Sequence, residues 1–357
     1  MKVFLTEFHY KKKYNLQDTI VFAGLFLPSL LYLGVTKMRN FLYRKNILKS
    51  EKPNAYIVSV GNLTTGGTGK TPITAEIVNY FVKQGYKTAV LSRGYGGKLK
   101  NKEVNVISDG EKIFFNSLEA GDEPFWLAKN CKGACVLTCS SRLKAANYAY
   151  KELKCSRLVL DDGFQHRKLA RDKNVLVVDS DKKFSNGCLL PAGALRESVA
   201  EVKRADVIVV TNKNYTDKSA RAYARYLQKK YKKPAFVCSL VPDMVYRLKD
   251  NKPLDDNFKH DPSVIAFSAI GQPEQFYSLL RRYDVVETKD FPDHHIYTND
   301  DLRQLAELKK KSGADLFITT EKDAVKLKEL SDIADDVYVL RLKPDLDVNE
   351  LLNAGEE

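Results

Sequence analysis

The sequence predicts an α/β protein whose main domain contains a mostly parallel β-sheet with helices on both faces. Short apolar runs, such as YIVSV at 56–60 and VLVVD at 175–179, alternate with stretches of helical composition. A second, smaller α/β pattern occupies the C-terminal part of the chain, and an uncharged apolar stretch, 19–36, precedes both. We therefore expect a membrane-associated N-terminal helix, a large sheet domain and a smaller C-terminal α/β domain.

The N-terminal segment differs from the rest of the chain in charge. Residues 19–36 carry no charge, and residues 1–52 contain ten Lys and Arg but only three Asp and Glu. A run of roughly 18 residues is at the lower limit for spanning a bilayer. A secretory signal, a buried structural helix and a membrane anchor are the three interpretations. The basic flanks favour an anchor, with the following residues on the cytoplasmic side.

Composition excludes several classes of protein. The 357 residues are 44% hydrophobic and carry a net charge of +13, so the chain has enough apolar residues for a folded core. It lacks zinc-finger spacing, an aromatic RNA-binding signature and a basic helix with heptads, which argues against nucleic-acid binding. Three of its six cysteines, Cys131, Cys135 and Cys139, lie in an apolar stretch without a nearby histidine. They are interpreted as core residues in a reducing compartment.

Four segments follow from the changes in composition. The membrane-associated segment covers 1–50, and the nucleotide-binding domain covers 51–241. A polar, turn-rich stretch at 242–259, containing KDNKPLDD, predicts a hinge or two-stranded linker. The smaller α/β domain covers 260–357.

A glycine-rich stretch, TTGGTGKT at 64–71, follows the first apolar run and opens a predicted helix. Strand, glycine-rich turn and helix are the context of a phosphate-binding loop, in which backbone N–H groups and the helix N-terminus face an anion. Thr64 occupies the position where the usual pattern has glycine, and a simple turn is the alternative interpretation. The residues predicted to bind ATP or its Mg²⁺ here are Gly66, Gly67, Thr68, Gly69, Lys70 and Thr71.

Three other stretches contain side chains suited to catalysis. RLVLDD predicts a strand that delivers Asp161 and Asp162 to the carboxyl edge of the sheet, where nucleotide-bound Mg²⁺ needs a carboxylate. AGDEPFWLA puts Asp122 at the start of a helix, where it is either a capping residue or a catalytic one. FPDHHIYT contains the adjacent pair His294 and His295, of which one is expected to pack while the other acts in catalysis.

These stretches together resemble the tetraacyldisaccharide 4'-kinase family, the lipid A kinases of Gram-negative bacteria. The similar segments occur in the family's order, from residue 60 to about residue 327. They are VGNLTTGGTGKTP, LSRGYGG, GDEP, LDDGFQHRKLARD, LPAGALRES, AIGQPEQF, FPDHHIYT and TTEKDAVKL. The resemblance implies transfer of the γ-phosphate of ATP, with Mg²⁺, to the 4'-hydroxyl of a lipid-linked glucosamine disaccharide 1-phosphate. It also implies a location on the cytoplasmic face of the inner membrane, with no obligate protein partner.

The resemblance also assigns roles to residues. Lys70 belongs to the catalytic set, Asp122 is the general base for the sugar hydroxyl, and His294 pairs with that base. The carboxylates near Mg²⁺ are Asp161, Asp162 and Glu197, and the side chains that support the nucleotide are Arg142, Gln165 and Arg196. The alternative function is a regulatory or metal-delivery P-loop NTPase that acts through a protein partner. Thr65, in place of the lysine typical of that group, argues against it.

Overall fold

The computed structural model describes residues 9–11, 15–212, 217–254, 262–271, 273–292, 295–327 and 335–355. The strands are β1 Tyr56–Gly61, β2 Thr88–Ser92, β3 Asn105–Ser108, β4 Cys135–Thr138, β5 Arg157–Leu160, β6 Lys173–Asp179, β7 Val207–Asn212, β8 Ala235–Arg247, β9 Ser263–Ser268, β10 Asp284–Asp290, β11 Leu316–Thr320 and β12 Val337–Asp345. The α-helices are α1 Leu16–Arg44, α2 Lys70–Lys83, α3 Ser117–Ala120, α4 Asp122–Asn130, α5 Arg142–Lys151, α6 Asp217–Tyr231, α7 Pro273–Tyr277, α8 Asn299–Ser312, α9 Glu321–Leu327 and α10 Val348–Asn353.

The chain divides into two compact units, one formed by Met1–Ser239 with Leu346–Glu357 and the other by Leu240–Asp345. In the first unit the strand order is β3-β4-β2-β5-β1-β6-β7-β8. Only the β3–β4 pair is antiparallel among these pairs. The boundary between the units falls within β8, which therefore belongs to both. In the second unit the order is β8-β12-β11-β9-β10, with parallel pairing from β12 to β10. The predicted parallel α/β sheet is therefore confirmed.

Helices cover both faces of the first unit's sheet because alternate strand residues are apolar on both sides. In β6, Val175 and Val177 join the core shared with α2 and α4. Leu176 and Val178 of the same strand join the core shared with α6. The continuous apolar runs in the sequence thus correspond to strands buried on both faces.

The C-terminal helix α10 corrects the predicted domain boundary at the end of the chain. Residues 260–357 were expected to form one small domain, but Leu346–Glu357 group with the first unit. The physical reason is apolar burial, because Val348, Leu351 and Leu352 belong to the core that contains α2. The Tyr80 hydroxyl of α2 also donates to Asn349 Oδ1 at 2.8 Å. The hinge at 242–259 stays a prediction: β8 covers its first residues, and 255–259 lie outside the described part of the chain.

Candidate active site

The glycine-rich loop connects β1 to α2, as the sequence predicts. Gly69 is the N-cap of α2 and has a left-handed backbone, with φ of 78°, which favours glycine. A Cβ built at Gly66 or Gly67 would have no other heavy atom within 4 Å, so this side of the loop borders open space. The loop therefore leaves room for an anion next to the N-terminus of α2, where the helix dipole favours negative charge.

Side chains on the inner side of the loop fix its shape. The buried Thr68 hydroxyl accepts a hydrogen bond of 3.0 Å from Asn62 Nδ2, and the Thr68 carbonyl accepts one of 2.9 Å from Thr211 Oγ1. Thr211 lies at the carboxyl end of β7, two strands from β1. The Thr68 side chain, predicted to contact nucleotide, thus braces the loop from inside.

The start of the loop explains why Thr64 can replace glycine. Thr64 forms an antiparallel bridge with Leu195, and Thr65 N donates to Ala194 O at 2.8 Å. Arg196 N in turn donates to Leu63 O at 2.7 Å. Because this part of the loop is paired with another segment, Thr64 does not need the positive φ that glycine supplies elsewhere.

Asp161 and Thr71 form the candidate Mg²⁺ position. Asp161 follows β5, which is hydrogen-bonded to β1, so its carboxylate lies at the same sheet edge as the loop. Its Oδ2 lies 3.5 Å from Thr71 Oγ1, and its Oδ1 accepts from Thr74 Oγ1 at 3.0 Å. Burial, followed by the charge of Glu123, raises the Asp161 pKa to about 7, although Lys70 acts in the opposite direction.

This pair fits a nucleotide-bound Mg²⁺, for which P-loop proteins use the first hydroxyl of the helix and an aspartate from a neighbouring strand. Across the described residues, no group of three or more His, Cys, Asp and Glu side chains is arranged to hold a metal ion. The remaining ligands would then be phosphate oxygens and water, as is usual for Mg²⁺.

Asp162 has different surroundings from Asp161. Its two carboxylate oxygens accept hydrogen bonds of 2.8 Å from Arg196 Nη1 and Nη2, and Lys70 Nζ lies 3.7 Å away. Burial alone would raise the Asp162 pKa, but hydrogen bonding to Arg196 and the charges of Lys70, Arg196 and Arg142 lower it below its ordinary value. Asp162 therefore holds two cations beside the loop, and these contacts do not support the predicted direct role at Mg²⁺.

The predicted supporting residues Arg142 and Gln165 lie one layer behind the loop. Arg142 is buried and donates to Cys139 O at 2.6 Å, and its Nη2 lies 3.5 Å from Asp161 O. Burial lowers the Arg142 pKa to about 10, partly offset by the nearby carboxylates. Gln165 Nε2 donates to Asn62 O at 2.9 Å. Both side chains orient the protein atoms that form the site.

Glu197 is fully buried and surrounded by donors. Its carboxylate accepts from Arg39 and Arg204, from Asn40 Nδ2 at 3.2 Å and from Gln165 Nε2 at 3.3 Å. Because two arginines and two amides already surround this carboxylate, its attraction for a further cation is weak. These contacts place Glu197 in an internal ion-pair cluster, and its role as a metal ligand stays a prediction.

Asp122 is the first residue of α4, and Gly121 is its N-cap. Gly121 has φ of 92°, and a Cβ there would lie 2.7 Å from Tyr95 O, so the GDEP and GYGG segments approach closely. The Asp122 side chain is exposed and lies inside the first turn, so the interpretation as N-cap is wrong. The charge of the next residue, Glu123, helps to raise the Asp161 pKa. The start of α4 therefore lies near the phosphate loop.

The histidine pair is only partly described, because Asp293 and His294 lie outside the described residues. Within the second unit, His295 Nε2 lies 2.9 Å from Asp301 Oδ2, and its ring stacks on Phe291 at 5.0 Å between centroids. These contacts favour packing as the role of His295.

Sequence reasoning missed several residues that shape the site. Asn62, Thr74 and Thr211 brace the loop or orient Asp161, and Arg39 and Asn40 reach Glu197 from α1. Asn62 lies in the stretch VGNLTTGG, directly before the loop, and so had a local signal. No local sequence signal pointed to Arg39, because its partner Glu197 is 158 positions away in the chain.

A glycine-rich loop between a strand and a helix, followed by Lys and Thr and paired with a buried aspartate from the neighbouring strand, defines a P-loop protein that binds a nucleoside triphosphate. Comparison with known proteins identifies which kind. Residues 22–354 match the tetraacyldisaccharide-1-P 4'-kinase family, and the chain belongs to that family. It is therefore a kinase and uses ATP, a finding that does not favour the alternative of a partner-directed regulatory NTPase.

Relatives and a solved structure agree with this assignment. The chain is 37% identical to the tetraacyldisaccharide 4'-kinase of Syntrophus aciditrophicus, with 86% of this chain and 84% of that protein covered. It is 34% identical to the enzyme of the same name from Halothermothrix orenii, with 94% and 93% covered. The crystal structure of LpxK from Aquifex aeolicus in complex with ATP matches with a TM-score of 0.71 and 30% identity, covering 93% of this chain and 97% of that chain.

Proposed function

We propose that this kinase transfers the γ-phosphate of ATP to the 4'-hydroxyl of a tetraacyldisaccharide 1-phosphate at the cytoplasmic face of the inner membrane. The observation that carries the catalytic assignment is the exposure of Asp122. The other carboxylates of the motif set, Asp161, Asp162 and Glu197, are held by protein donors. Asp122 and the adjacent Glu123 are exposed at the start of α4, where an acceptor hydroxyl can arrive without first breaking such contacts. The resemblance of GDEP to the family motif assigns the base to Asp122 of these two.

The phosphate end of the reaction is assigned to the loop. Backbone groups of Gly66 to Gly69 and the dipole of α2 receive the phosphates, and Lys70 neutralises charge on the group in transfer. Thr71 and Asp161 would hold Mg²⁺, which when bound neutralises phosphate charge and orients the γ-phosphate. Asp162 and Arg196 keep Lys70 in place, since Asp162 lies between the two cations.

The acceptor end is assigned to Asp122, with help from His294. A carboxylate alone is a weak base for a sugar hydroxyl, because its conjugate acid is far stronger than an alcohol. An imidazole that shares the proton keeps such a pair effective near neutral pH. His294 is assigned this role because its neighbour His295 is engaged with Asp301.

The membrane assignment rests on α1. Among the described residues, α1 is the helix long and apolar enough to cross a membrane, and 11% of its most apolar window is buried in the protein. The side chains of Leu27, Leu31 and Val35, spaced four residues apart, are exposed by 66%, 68% and 66%. The opposite face contacts the rest of the first unit through the polar side chains of Ser29 and Asn40 and through Leu33, which packs on the core. A helix docked along this length, ~17 Å at 1.5 Å per residue, would lie in the membrane interface more readily than cross it.

The experiment that tests the function is phosphate transfer itself. Purified protein in detergent micelles is incubated with γ-labelled ATP, Mg²⁺ and the disaccharide lipid, and the label is followed into the lipid. We expect a labelled bis-phosphorylated lipid, and no labelled lipid when the acceptor already carries a 4'-phosphate. Release of free phosphate without labelled lipid would overturn the proposed acceptor.

A further inference from the structure

The polar face of α1 reaches into the first unit at one buried carboxylate. Glu197 accepts from the Arg39 guanidinium and, at 3.2 Å, from Asn40 Nδ2. The Glu197 side chain is 1% exposed, whereas that of Arg39 is 38% exposed. Asn40 is fixed from a second side, because Arg167 Nη1 donates to its carbonyl at 3.1 Å.

The residue next to Glu197 is a cation of the phosphate site. Arg196 binds both oxygens of Asp162 at 2.8 Å, and its Nη2 donates to Asn62 O at 3.0 Å. Its backbone N–H also holds Leu63 O at the start of the loop. The side chains of Glu197 and Arg196 therefore join α1 to the phosphate loop through two adjacent residues of one segment.

Further contacts, among them the following two, join the N-terminal region to the same part of the unit. Ser29 Oγ donates to Leu189 O at 2.8 Å, at the beginning of the segment that carries Arg196. The Tyr10 hydroxyl donates to Thr65 O at 3.1 Å, within the loop itself. The contacts are thus distributed along the helix and before it.

This arrangement is more specific than membrane attachment requires. Burying a charged cluster costs desolvation energy, which is recovered only when the geometry of its hydrogen bonds is good. A helix that served only as an anchor could rest on the unit through apolar contacts at no such cost. Here ionic and amide hydrogen bonds, in addition to the apolar contact of Leu33, fix the position of α1 relative to the segment at 189–197.

We propose that Arg39 and Asn40 of α1 are positioning residues for the phosphate site, which act through Glu197 on the segment that carries Arg196. The apolar helix then completes the nucleotide site in addition to meeting the membrane. The membrane half of this coupling rests on the proposed function, but the effect on nucleotide binding does not.

The test measures nucleotide affinity of the full-length protein in detergent, without the lipid acceptor. Arg39→Gln should raise the Kd of a non-hydrolysable ATP analogue with Mg²⁺ by roughly 2- to 30-fold, the range found for substitutions that couple through packed neighbours. Arg39→Lys, which keeps the charge but not the fork of donors, should give an intermediate value. Lys37→Gln is the matched control, because it removes one positive charge from an exposed position of the same helix and should leave this Kd unchanged.

The outcomes separate a positioning role from a general structural one. Each variant is compared with the parent by its unfolding midpoint, and a folded Arg39→Gln protein with the parental Kd would overturn the proposal. A measurement on the unaltered protein covers the case in which the variants do not fold. Because coupling is reciprocal, the ATP analogue should slow amide exchange at the end of α1, near residues 36–44, as well as in the loop. Slower exchange in the loop alone would also overturn the proposal.

This test and the phosphate-transfer assay fail independently. Nucleotide Kd and amide exchange are measured without lipid, so they do not depend on the identity of the acceptor. Unchanged affinity with normal lipid phosphorylation would reject the coupling and keep the kinase function. Changed affinity without lipid phosphorylation would keep the coupling and reject the proposed kinase function.

Discussion

The adjacent carboxylates of Asp161 and Asp162 have different surroundings because of one backbone angle. Asp162 has φ of 52°, in the left-handed region that aspartate tolerates better than most residues. The Asp162 carboxylate is paired with Arg196, whereas that of Asp161 lies beside Thr71 under α2. The same two-residue sequence therefore supplies both a candidate Mg²⁺ ligand and the anion that holds Lys70. A left-handed backbone is strained in a residue other than glycine, and at a functional site the surrounding structure keeps the residue in that conformation.

The identity of the base is tested by two neighbouring carboxylates. Asp122→Asn should lower kcat by about 100-fold or more, the usual size of a general-base contribution, while the Kd of the ATP analogue stays the same. Glu123→Gln is the matched comparison, because both side chains are exposed in the first turn of α4. We expect a much smaller loss of kcat there. The reverse order of the two losses would transfer the role of base to Glu123.

His166 predicts a loss of stability in acid. Burial, followed by the charges of Arg142 and Arg93, lowers its pKa to about 3 in the folded protein. A lowered pKa stabilises the folded state above the ordinary histidine pKa of about 6.5, and this stability is lost as the pH falls from there toward about 3. Between pH 8 and pH 5 the parent should lose roughly 2 kcal/mol more unfolding free energy than His166→Asn.

Urea unfolding at the two pH values checks this prediction. The difference between parent and variant at pH 8, where histidine is neutral in both states, isolates the packing effect of the substitution. Equal losses of stability between pH 8 and pH 5 would mean that His166 is protonated in the folded chain above pH 5.

At the scale of elements, the sequence predicted those features that depend on neighbouring residues. The helix predicted to begin at Asp122 is observed as Asp122–Asn130, because its apolar spacing is local. Lys70, Thr71 and Asp161 are brought together because they follow adjacent parallel strands. The surroundings of Glu197 could not be fully predicted, since two of its four partners lie on α1, more than 150 positions away. Local periodicity contains no information about which distant helix fills a given site.

The exposed face of α1 predicts how the protein binds lipid. Replacing Leu27, Leu31 and Val35 together by Gln should weaken binding to vesicles of phosphatidylethanolamine and phosphatidylglycerol by more than about 100-fold. Each buried side chain of this type contributes about 1.5 kcal/mol or more. Flotation with vesicles measures the bound fraction. Val286→Gln, an exposed apolar position of the second unit, is the control and should bind like the parent. Unchanged flotation of the triple variant would assign membrane contact to another surface.

At the scale of the whole molecule, the path of the chain matters more than the order of its motifs. The second unit is inserted between Ser239, within β8, and Leu346, because the chain returns to the first unit after Asp345. Composition changes locate where a domain begins, but they do not reveal that a short terminal helix returns to an earlier core. Only the apolar spacing of Val348, Leu351 and Leu352 carried that signal, and six-residue patterns of this kind are common in small domains as well.

The return of the chain predicts that two equivalent core substitutions affect different units. Leu351→Ala in α10 and Leu305→Ala in α8 each remove a side chain that is at most 1% exposed, so each should cost about 2–5 kcal/mol of unfolding free energy. Only the first lies in the unit that contains the phosphate loop. Nucleotide stabilises the state that binds it, so thermal unfolding with and without the ATP analogue identifies the transition of that unit. Leu351→Ala should lower the midpoint of the nucleotide-sensitive transition, and Leu305→Ala should chiefly lower the other. If Leu351→Ala left the nucleotide-sensitive transition in place, α10 would have to be assigned to the smaller domain, as the sequence alone had predicted.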